Sequence, residues 1–526
     1  MSISHFNREK TGLFTDISNR LSYNQNGLEN YINQPFSINA FKQQVDLKSL
    51  NFSNEKRNIL VDVLTKSYSN ISNEIIKKSI DSLLNKNTFT ITTGHQLSIF
   101  TGPIYFIYKI LHTIRLTEEL NKTYPENKFI PVFWMASEDH DFEEIQSINL
   151  FNKTIKWDSE QKGPVGRFET KSFEAIKDEF KELFQNNTES EVLELINSYD
   201  GKNLSEATFN LVNKLFGKYG LIIVDGDEVN LKKEFIPILE KELTTQFSFQ
   251  EVTLTNESLQ KENIKLQITP REINLFYIEK NLRSRIQTKG DNFYIEGKGD
   301  FSKEEILIKL KEHPECFSPN VVLRPLYQET ILPNLCYLGG GGEIAYWLQL
   351  KRVFESVNCT YPLIQIRNSI QLIDSNSLKK MEKINISIKQ LFVPIEELKK
   401  EYVLANSNDE LNFEILDNSF LEFSNSITKQ IIQIDSSLIN YAEAEISRME
   451  KQLISIKQKM IKTEKNKHEQ ALNQIEQIKN KLFPNGGLQE RNINFFSLCS
   501  DGKVYSHLEE IYNAISPFEN DLIVIH

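Results

Sequence analysis

The sequence predicts an α/β protein in which a parallel sheet carries inserted segments and gives way, toward the C-terminus, to a long helical arm. Two patterns carry that expectation. Short, near-continuous apolar runs alternate with helical segments, as buried parallel strands joined by crossover helices do. Residues 395–483 then contain neither glycine nor proline, so nothing in them enforces a chain break. At 526 residues the chain exceeds one ordinary core, and 39 % apolar with 25 % charged residues is a globular balance.

The elements follow in order. Ile59, Val63, Tyr68, Ile71 and Ile75 recur at helical spacing in a polar background, which makes residues 1–87 a helical lead-in. The period then changes. Thr88-Phe89-Thr90-Ile91-Thr92-Thr93 is a β-branched strand that stops at Gly94, and Pro103 opens a strongly apolar helix through Leu111. The unit repeats at Phe129-Ile130-Pro131-Val132-Phe133-Trp134-Met135, and a third buried strand is Gly220-Leu221-Ile222-Ile223-Val224-Asp225. Later candidates lie at residues 334–339 and 361–366, which places the sheet core in residues 88–370. Near 272–297 short strands separated by turn residues such as Lys289-Gly290-Asp291 read as an antiparallel meander inserted into that core.

The arm is assigned to residues 371–486. Within it Ile439, Ala442, Ile446, Met449, Leu453, Ile456 and Met460 alternate at spacings of three and four, a coiled-coil seam. The seam skips to Ala471 and resumes at Ile475, Ile478 and Leu482, a stutter that relaxes the supercoil locally. Such heptads either join two chains in a homodimer or fold back on residues 420–434 within one chain. Phe483-Pro484-Asn485-Gly486-Gly487 stops the helix, and residues 487–526 return toward the core, ending in the strand-like Leu522-Ile523-Val524-Ile525.

Composition removes several function classes. A net charge of −11 disfavours a nucleic-acid partner, which asks for a basic face. No run of eighteen apolar residues could cross a bilayer, and the N-terminus lacks the pattern of a secretory signal, so a cytoplasmic enzyme is expected. Cys316, Cys336, Cys359 and Cys499 form no C-x-x-C pair and read as reduced thiols; no metal set is assigned.

In open parallel sheets ligands bind at the carboxyl ends of the strands, and the candidate residues cluster there. Thr93-Gly94-His95-Gln96, closed by Phe100-Thr101-Gly102-Pro103 and followed by Tyr105, joins strand to helix where a carboxylate or phosphate could meet unpaired N–H groups; a hydrogen-bonded structural histidine is the plain alternative. Glu138, Asp139, His140 and Asp141, with Glu143 and Glu144 after them, crowd carboxylates around one imidazole, which suits proton transfer, amine recognition or, with a donor such as His95 from elsewhere, metal binding. Asp141 with Glu144 also reads as a helix N-cap with a supporting acid. Gly340, Gly342 and Ala345 satisfy G-x-G-x-x-A only trivially within four glycines; what remains is a backbone open to close approach, with Glu343 and Tyr346 in the helix that follows. Arg324, Gln328 and Glu329 precede that loop, Arg324 being either a carboxylate fork or the ion-pair partner of Glu329; Arg367-Asn368 ends a strand.

In this order the segments Thr93-Gly94-His95-Gln96, Phe100-Thr101-Gly102-Pro103-Ile104-Tyr105, Pro131-Val132-Phe133-Trp134, Glu138-Asp139-His140-Asp141, Arg324-Pro325 with Gln328-Glu329, Gly342-Glu343-Ile344-Ala345-Tyr346-Trp347 and residues 483–491 resemble the bacillithiol biosynthesis cysteine-adding enzyme family. The resemblance implies a cysteine ligase that condenses cysteine with glucosaminyl malate on a Rossmann-like parallel-sheet core with connecting insertions, dimerising through a coiled-coil arm. It also implies a nucleotide held near the arm, for which Asn485, Gly486 and Arg491 are the matching positions. Much of the family carries glutamine where His95 stands and proline where Gly341 stands, so His140 is the better acid–base candidate.

Amide formation then assigns Glu138, Asp139, His140 and Asp141 to an amine, Arg324 or Arg367 to a carboxylate, and the loops at Gly94 and Gly340 to the activating group. ATP with magnesium would make a chemically sensible adenylate, although no nucleotide motif supports it. The rival readings are a non-catalytic dimeric scaffold and a dinucleotide-dependent oxidoreductase.

Overall fold

The computed structural model describes residues 2–25, 27–151, 153–184, 190–407 and 413–526. They form two compact units, one built from residues 1–9, 13–371 and 490–525, the other essentially from residues 372–489.

The first unit is organised by a five-stranded, all-parallel sheet in the order Leu363–Ile366, Asn334–Gly339, Thr88–His95, Lys128–Met135, Ile222–Asp225. Thr88–His95 is central and buried along its whole length, so its hydroxyls need partners inside the protein. Thr92 donates to the Asn334 side chain at 2.8 Å and Thr93 to the Leu338 carbonyl at 2.8 Å, which ties the strand to its neighbour beyond the backbone ladder. Gly94 lies opposite Trp134 and His95 opposite Met135, so the strand runs one residue beyond the glycine expected to end it.

Helix Tyr105–Thr123 packs on this sheet and is buried on most sides. Its entry is a left-handed run, Phe100 (φ 45°), Thr101 (φ 72°) and Gly102 (φ 62°). A Cβ at Gly102 would lie 2.5 Å from that of Ser98, so only glycine fits the last position. The lead-in contributes helices Ala40–Asn51, Asn54–Ser67 and Glu74–Ser82. Buried Arg57 donates to the carbonyls of Leu83, Thr88 and Lys86, fixing the turn into the central strand.

The insertion is a five-stranded antiparallel sheet ordered Gly299–Phe301, Asn292–Ile295, Leu282–Lys289, Leu275–Glu279, Phe317–Pro319. In its register Phe276 faces Arg285 and Ile278 faces Arg283. Leu522–Ile525 pairs antiparallel with Ile3–Phe6, so the C-terminal strand joins the N-terminus rather than the parallel sheet.

In the second unit helices Phe413–Ile434 and Ile439–Lys467 form an antiparallel hairpin, with Lys457 on the carboxylate of Asp417 and 5.6 Å from the Phe413 ring centre. The fold-back alternative is therefore the arrangement within one chain. The stretch without glycine and proline is nonetheless broken: Asp435 accepts from the Ser437 amide at the hairpin turn, and the long helix ends at His468, inside the gap of the heptad seam, before Glu469–Leu482 begins. A side-chain cap does here what glycine or proline does elsewhere. Among the described residues no helix is long and apolar enough to cross a membrane.

Candidate functional site

At the carboxyl ends of the parallel strands lies a cavity of about 590 Å³. Gly94, His95, Gln96, Tyr105, Glu138, Asp139, Arg324, Glu343 and Tyr346, all candidates from the sequence, line it. So do Glu144, Trp134 and Tyr337 from the core and Arg271, Phe276, Arg283 and Arg285 from the insertion. The carboxylates thus come from strand ends and their helices, and the arginines from the insertion and helix Arg324–Ile331.

His95 is buried. Its Nδ1 donates to the Gln96 carbonyl at 2.8 Å, leaving Nε2 to accept from the Tyr105 hydroxyl at 3.2 Å. Burial, helped by the Lys109 charge, pushes its pKa down to about 4, so it stays neutral near pH 7 and orients Tyr105. Lys109 donates to the Gly94 carbonyl at 2.8 Å and to Glu343, whose other oxygen accepts from the Tyr337 hydroxyl at 3.2 Å. Burial would raise the Glu343 carboxyl, but Lys109 more than offsets it and keeps the group below its usual range.

Gln96 donates to Asp139 at 2.8 Å and to Glu144 at 2.9 Å, holding two acids on the rim. Burial alone would raise Asp139. Hydrogen bonds from the His140 backbone amide and the Gln96 side chain, with Arg283 beyond, hold it well below the usual carboxylate range. Glu138 is pushed up to about 6 by burial, opposed by Lys232 at 2.7 Å.

His140 is exposed and does not line the cavity. Arg283 donates to its Nδ1 at 2.7 Å, which puts the ring proton on Nε2; the 3.3 Å approach of the same nitrogen to Asp139 is then no hydrogen bond, because one lone pair cannot both accept and donate. Asp141 is the N-cap of the short helix Phe142–Ile145, accepting from the Glu144 amide, in keeping with the plainer of its two readings.

Arg324 makes no ion pair with Glu329. It donates to Gln328 at 3.2 Å and to the Tyr346 hydroxyl at 3.4 Å, while Glu329 lies beside Lys48 and accepts from Asn334 at 2.6 Å. Gln328 and Glu329 are buried behind the cavity. Arg367 donates to Glu490 at 2.7 Å and lies 5.0 Å from the Tyr105 ring centre, and the Asn368 side chain donates to the Glu519 carbonyl at 2.7 Å; both sit behind the lining. Gly102, Gly340 and Gly342 do not line the cavity either.

At the glycine loop a Cβ on Gly339 would lie 2.9 Å from the Glu343 carboxylate, so that side chain, paired with Lys109, already fills the space the glycine leaves. Asn485 (φ 56°) and Gly486 (φ 72°) form an exposed left-handed turn in the second unit, while Arg491 is exposed in the first.

Sequence reasoning missed the insertion's arginines, Lys109 and Lys232. Arg283 and Arg285 do stand two apart on one strand and so share a face, yet nothing local shows which face meets the cavity. Lys109, set in an otherwise apolar run, carried a usable signal; Lys232 carried none.

Comparison with known proteins bears on this architecture. The bacillithiol biosynthesis BshC N-terminal Rossmann-like domain matches residues 1–368, and the BshC C-terminal coiled-coil domain matches residues 370–526. A protein of Flavobacterium psychrophilum named "Putative cysteine ligase BshC" is 43 % identical over 97 % of this chain and 96 % of its own. Proteins of the same name from Flavobacterium johnsoniae (41 %, covering 93 % of each chain) and Christiangramia forsetii (39 %, 92 % of each) are similarly related. By full-length similarity and by both domain matches, the chain belongs to the bacillithiol biosynthesis BshC family.

Proposed function

We propose that the chain is a cytoplasmic ligase that joins the carboxyl of cysteine to the amine of glucosaminyl malate, forming the amide of bacillithiol. The observation that carries this reading is the composition of the cavity, in which Glu138, Asp139, Glu144 and Glu343 share one space with Arg271, Arg283, Arg285 and Arg324. Substrates bearing ammonium groups and carboxylates suit both sets, and holding two such molecules together converts a bimolecular condensation into a near-unimolecular step. The relatives named for cysteine ligation support the same assignment.

In this reading Asp139 and Glu144, set by Gln96, receive an ammonium group, and Arg324 holds a carboxylate from above Tyr337 and beside Tyr346. His95 and Tyr105 orient the wall between them. The helical arm assembles a homodimer: Leu421, Phe423, Ile434, Tyr441 and Ile456 remain more than half exposed on it, apolar area that a second copy would remove from water.

The test is to incubate purified protein with cysteine and glucosaminyl malate, with and without magnesium ATP, and to follow the thiol product by mass spectrometry. Product with ATP alone supports activation of the cysteine carboxyl by nucleotide, and product without ATP supports ligation from another activated donor. No product in either arm refutes the ligase reading in favour of a scaffold.

A further inference from the structure

A chain of buried and part-buried charges leads to the cavity wall. Arg167 grips Asp227 through Nε at 2.6 Å and Nη2 at 2.8 Å; Lys232 Nζ lies 2.9 Å from Asp227 and 2.7 Å from Glu138. Arg167 and Lys232 also both donate to the Glu315 carbonyl, at 3.2 and 3.3 Å. Two cations alternate with two carboxylates, so the row is neutral when all four are charged. Of the four, only Glu138 lines the cavity. The Lys232 side chain is 2 % exposed and Glu138 10 %, so neither charge is stabilised by bulk water.

Resting on the amide-forming reading above, we propose that Glu138 is the group that takes the proton from the substrate ammonium, and that Lys232 is its positioning residue, holding the carboxylate ionised at the cavity wall. The step balances as R–NH₃⁺ plus Glu138 carboxylate giving R–NH₂ plus Glu138 carboxylic acid; the freed lone pair attacks an activated acyl carbon, whose bond to the activating group breaks to release that group as an anion while the nitrogen's extra proton passes to solvent. His140 is poorly placed for this, lying outside the lining with Nδ1 already accepting from Arg283.

The electrostatics agree with the geometry. Burial moves the Glu138 carboxyl up to about 6, with Lys232 opposing and Asp227 adding to the rise. Arg167, Arg283 and Tyr327 are other titratable or charged groups that face it. Lys232 stays charged because its two carboxylates outweigh the cost of its own burial. A carboxylate near pH 6 is ionised at pH 7 yet basic enough to accept a proton, the balance general-base catalysis favours.

The experiment compares wild type with Glu138→Gln, Lys232→Met and Lys232→Arg by the pH dependence of kcat/KM, and by infrared titration of the Glu138 carboxyl, identified as the band lost in Glu138→Gln. Lys232→Met should move the acid limb and the carboxyl titration up by a pH unit or more, Lys232→Arg should return both toward wild type, and Glu138→Gln should cost at least 100-fold in kcat while staying folded by circular dichroism at the assay temperature. An unmoved carboxyl titration in Lys232→Met, or full activity in Glu138→Gln, overturns the proposal. Should Lys232→Met not fold, Lys232→Gln carries the same comparison. If wild type makes no product, the ligase reading fails while the infrared titration still decides whether Lys232 sets Glu138.

Discussion

Replacing Glu490 by glutamine removes one negative charge from a place where two guanidinium groups depend on it. Glu490 accepts from Arg367 Nη2 at 2.7 Å, from the Ser369 hydroxyl at 3.2 Å and from the Ile370 amide at 3.2 Å, with side-chain exposures of 2 % for Glu490 and 6 % for Arg367. Arg8 donates to the Arg367 carbonyl at 2.9 Å; burial lowers its guanidinium to about 10, with Glu490 opposing and Arg367 adding to the fall. Removing one partner of a buried pair costs roughly 3–5 kcal/mol, because the other charge is left uncompensated. The first unit has roughly 400 residues, and at about 2.1 cal/mol/K per residue its melting entropy is near 0.8 kcal/mol/K, so the melting point should fall by about 4–6 °C. Differential scanning calorimetry measures this directly, and Arg367→Met with Glu490→Leu, which removes both charges, should recover most of the loss. Because Arg367 stands behind Tyr105 and not in the lining, KM for either substrate should change by less than about twofold in Glu490→Gln. A melting point within 1 °C of wild type, together with a tenfold rise in KM, would refute the argument and return Arg367 to the role of a carboxylate ligand.

Three further outcomes are expected. Stability should drop between pH 6.5 and 4: burial first, then neighbouring cations, lower the folded pKa of His95 to about 4, and His112, buried on the Pro517 carbonyl, falls to about 3. The unfolded chain therefore binds more protons in that window, so the stabilisation is present above about pH 6.5 and lost as pH falls toward the folded values, roughly 3 kcal/mol for His95; denaturation curves across the window should flatten in His95→Gln. His140→Ala should lower kcat by less than about tenfold in steady-state assays, and a loss of 100-fold or more would restore the imidazole as the base. If the arm assembles the proposed homodimer, Phe423→Glu with Ile456→Glu, both on exposed positions of the arm, should give a monomer by sedimentation equilibrium and wild type a dimer; an unchanged mass would place the contact elsewhere.

How far the sequence reached depends on whether the information was local. Strand Lys128–Met135 is apolar over most of its length and helix Tyr105–Thr123 over its first half, and such runs identify themselves. The strand-end rule likewise drew attention to Gly94, Gln96, Asp139 and Glu343, because position along a parallel strand fixes which end of the sheet a residue occupies. Arg367 obeyed the same rule and yet faces Glu490, more than a hundred residues away in sequence, since the rule selects an end of the sheet and not the direction of a side chain. The insertion's arginines were illegible for the converse reason: their strand was readable, but its docking against the core is a tertiary fact. In the arm, the heptad pattern showed that Ile439–Lys467 needs an apolar partner without saying whether that partner is Phe413–Ile434 of the same chain or another copy, and the hairpin held by Lys457 and Asp417 supplies the first.

Glu138 and Asp139 are adjacent in sequence and share one cavity, yet their surroundings drive them in opposite directions. Asp139 receives the His140 amide at 2.7 Å and Gln96 at 2.8 Å with Arg283 near by, so its negative charge persists far into acid, which in the proposed reading makes it the fixed anion for an ammonium group. Glu138 lies deeper, with Lys232 as its closest cation, and that cation is shared with Asp227, so its charge remains negotiable near neutrality. Pairs of titratable groups whose environments push them apart divide the labour of binding and proton transfer. On that division, replacing Asp139 by asparagine should act mainly on KM for the amine substrate and replacing Glu138 by glutamine mainly on kcat, because the first removes an interaction present before reaction and the second one needed only during it.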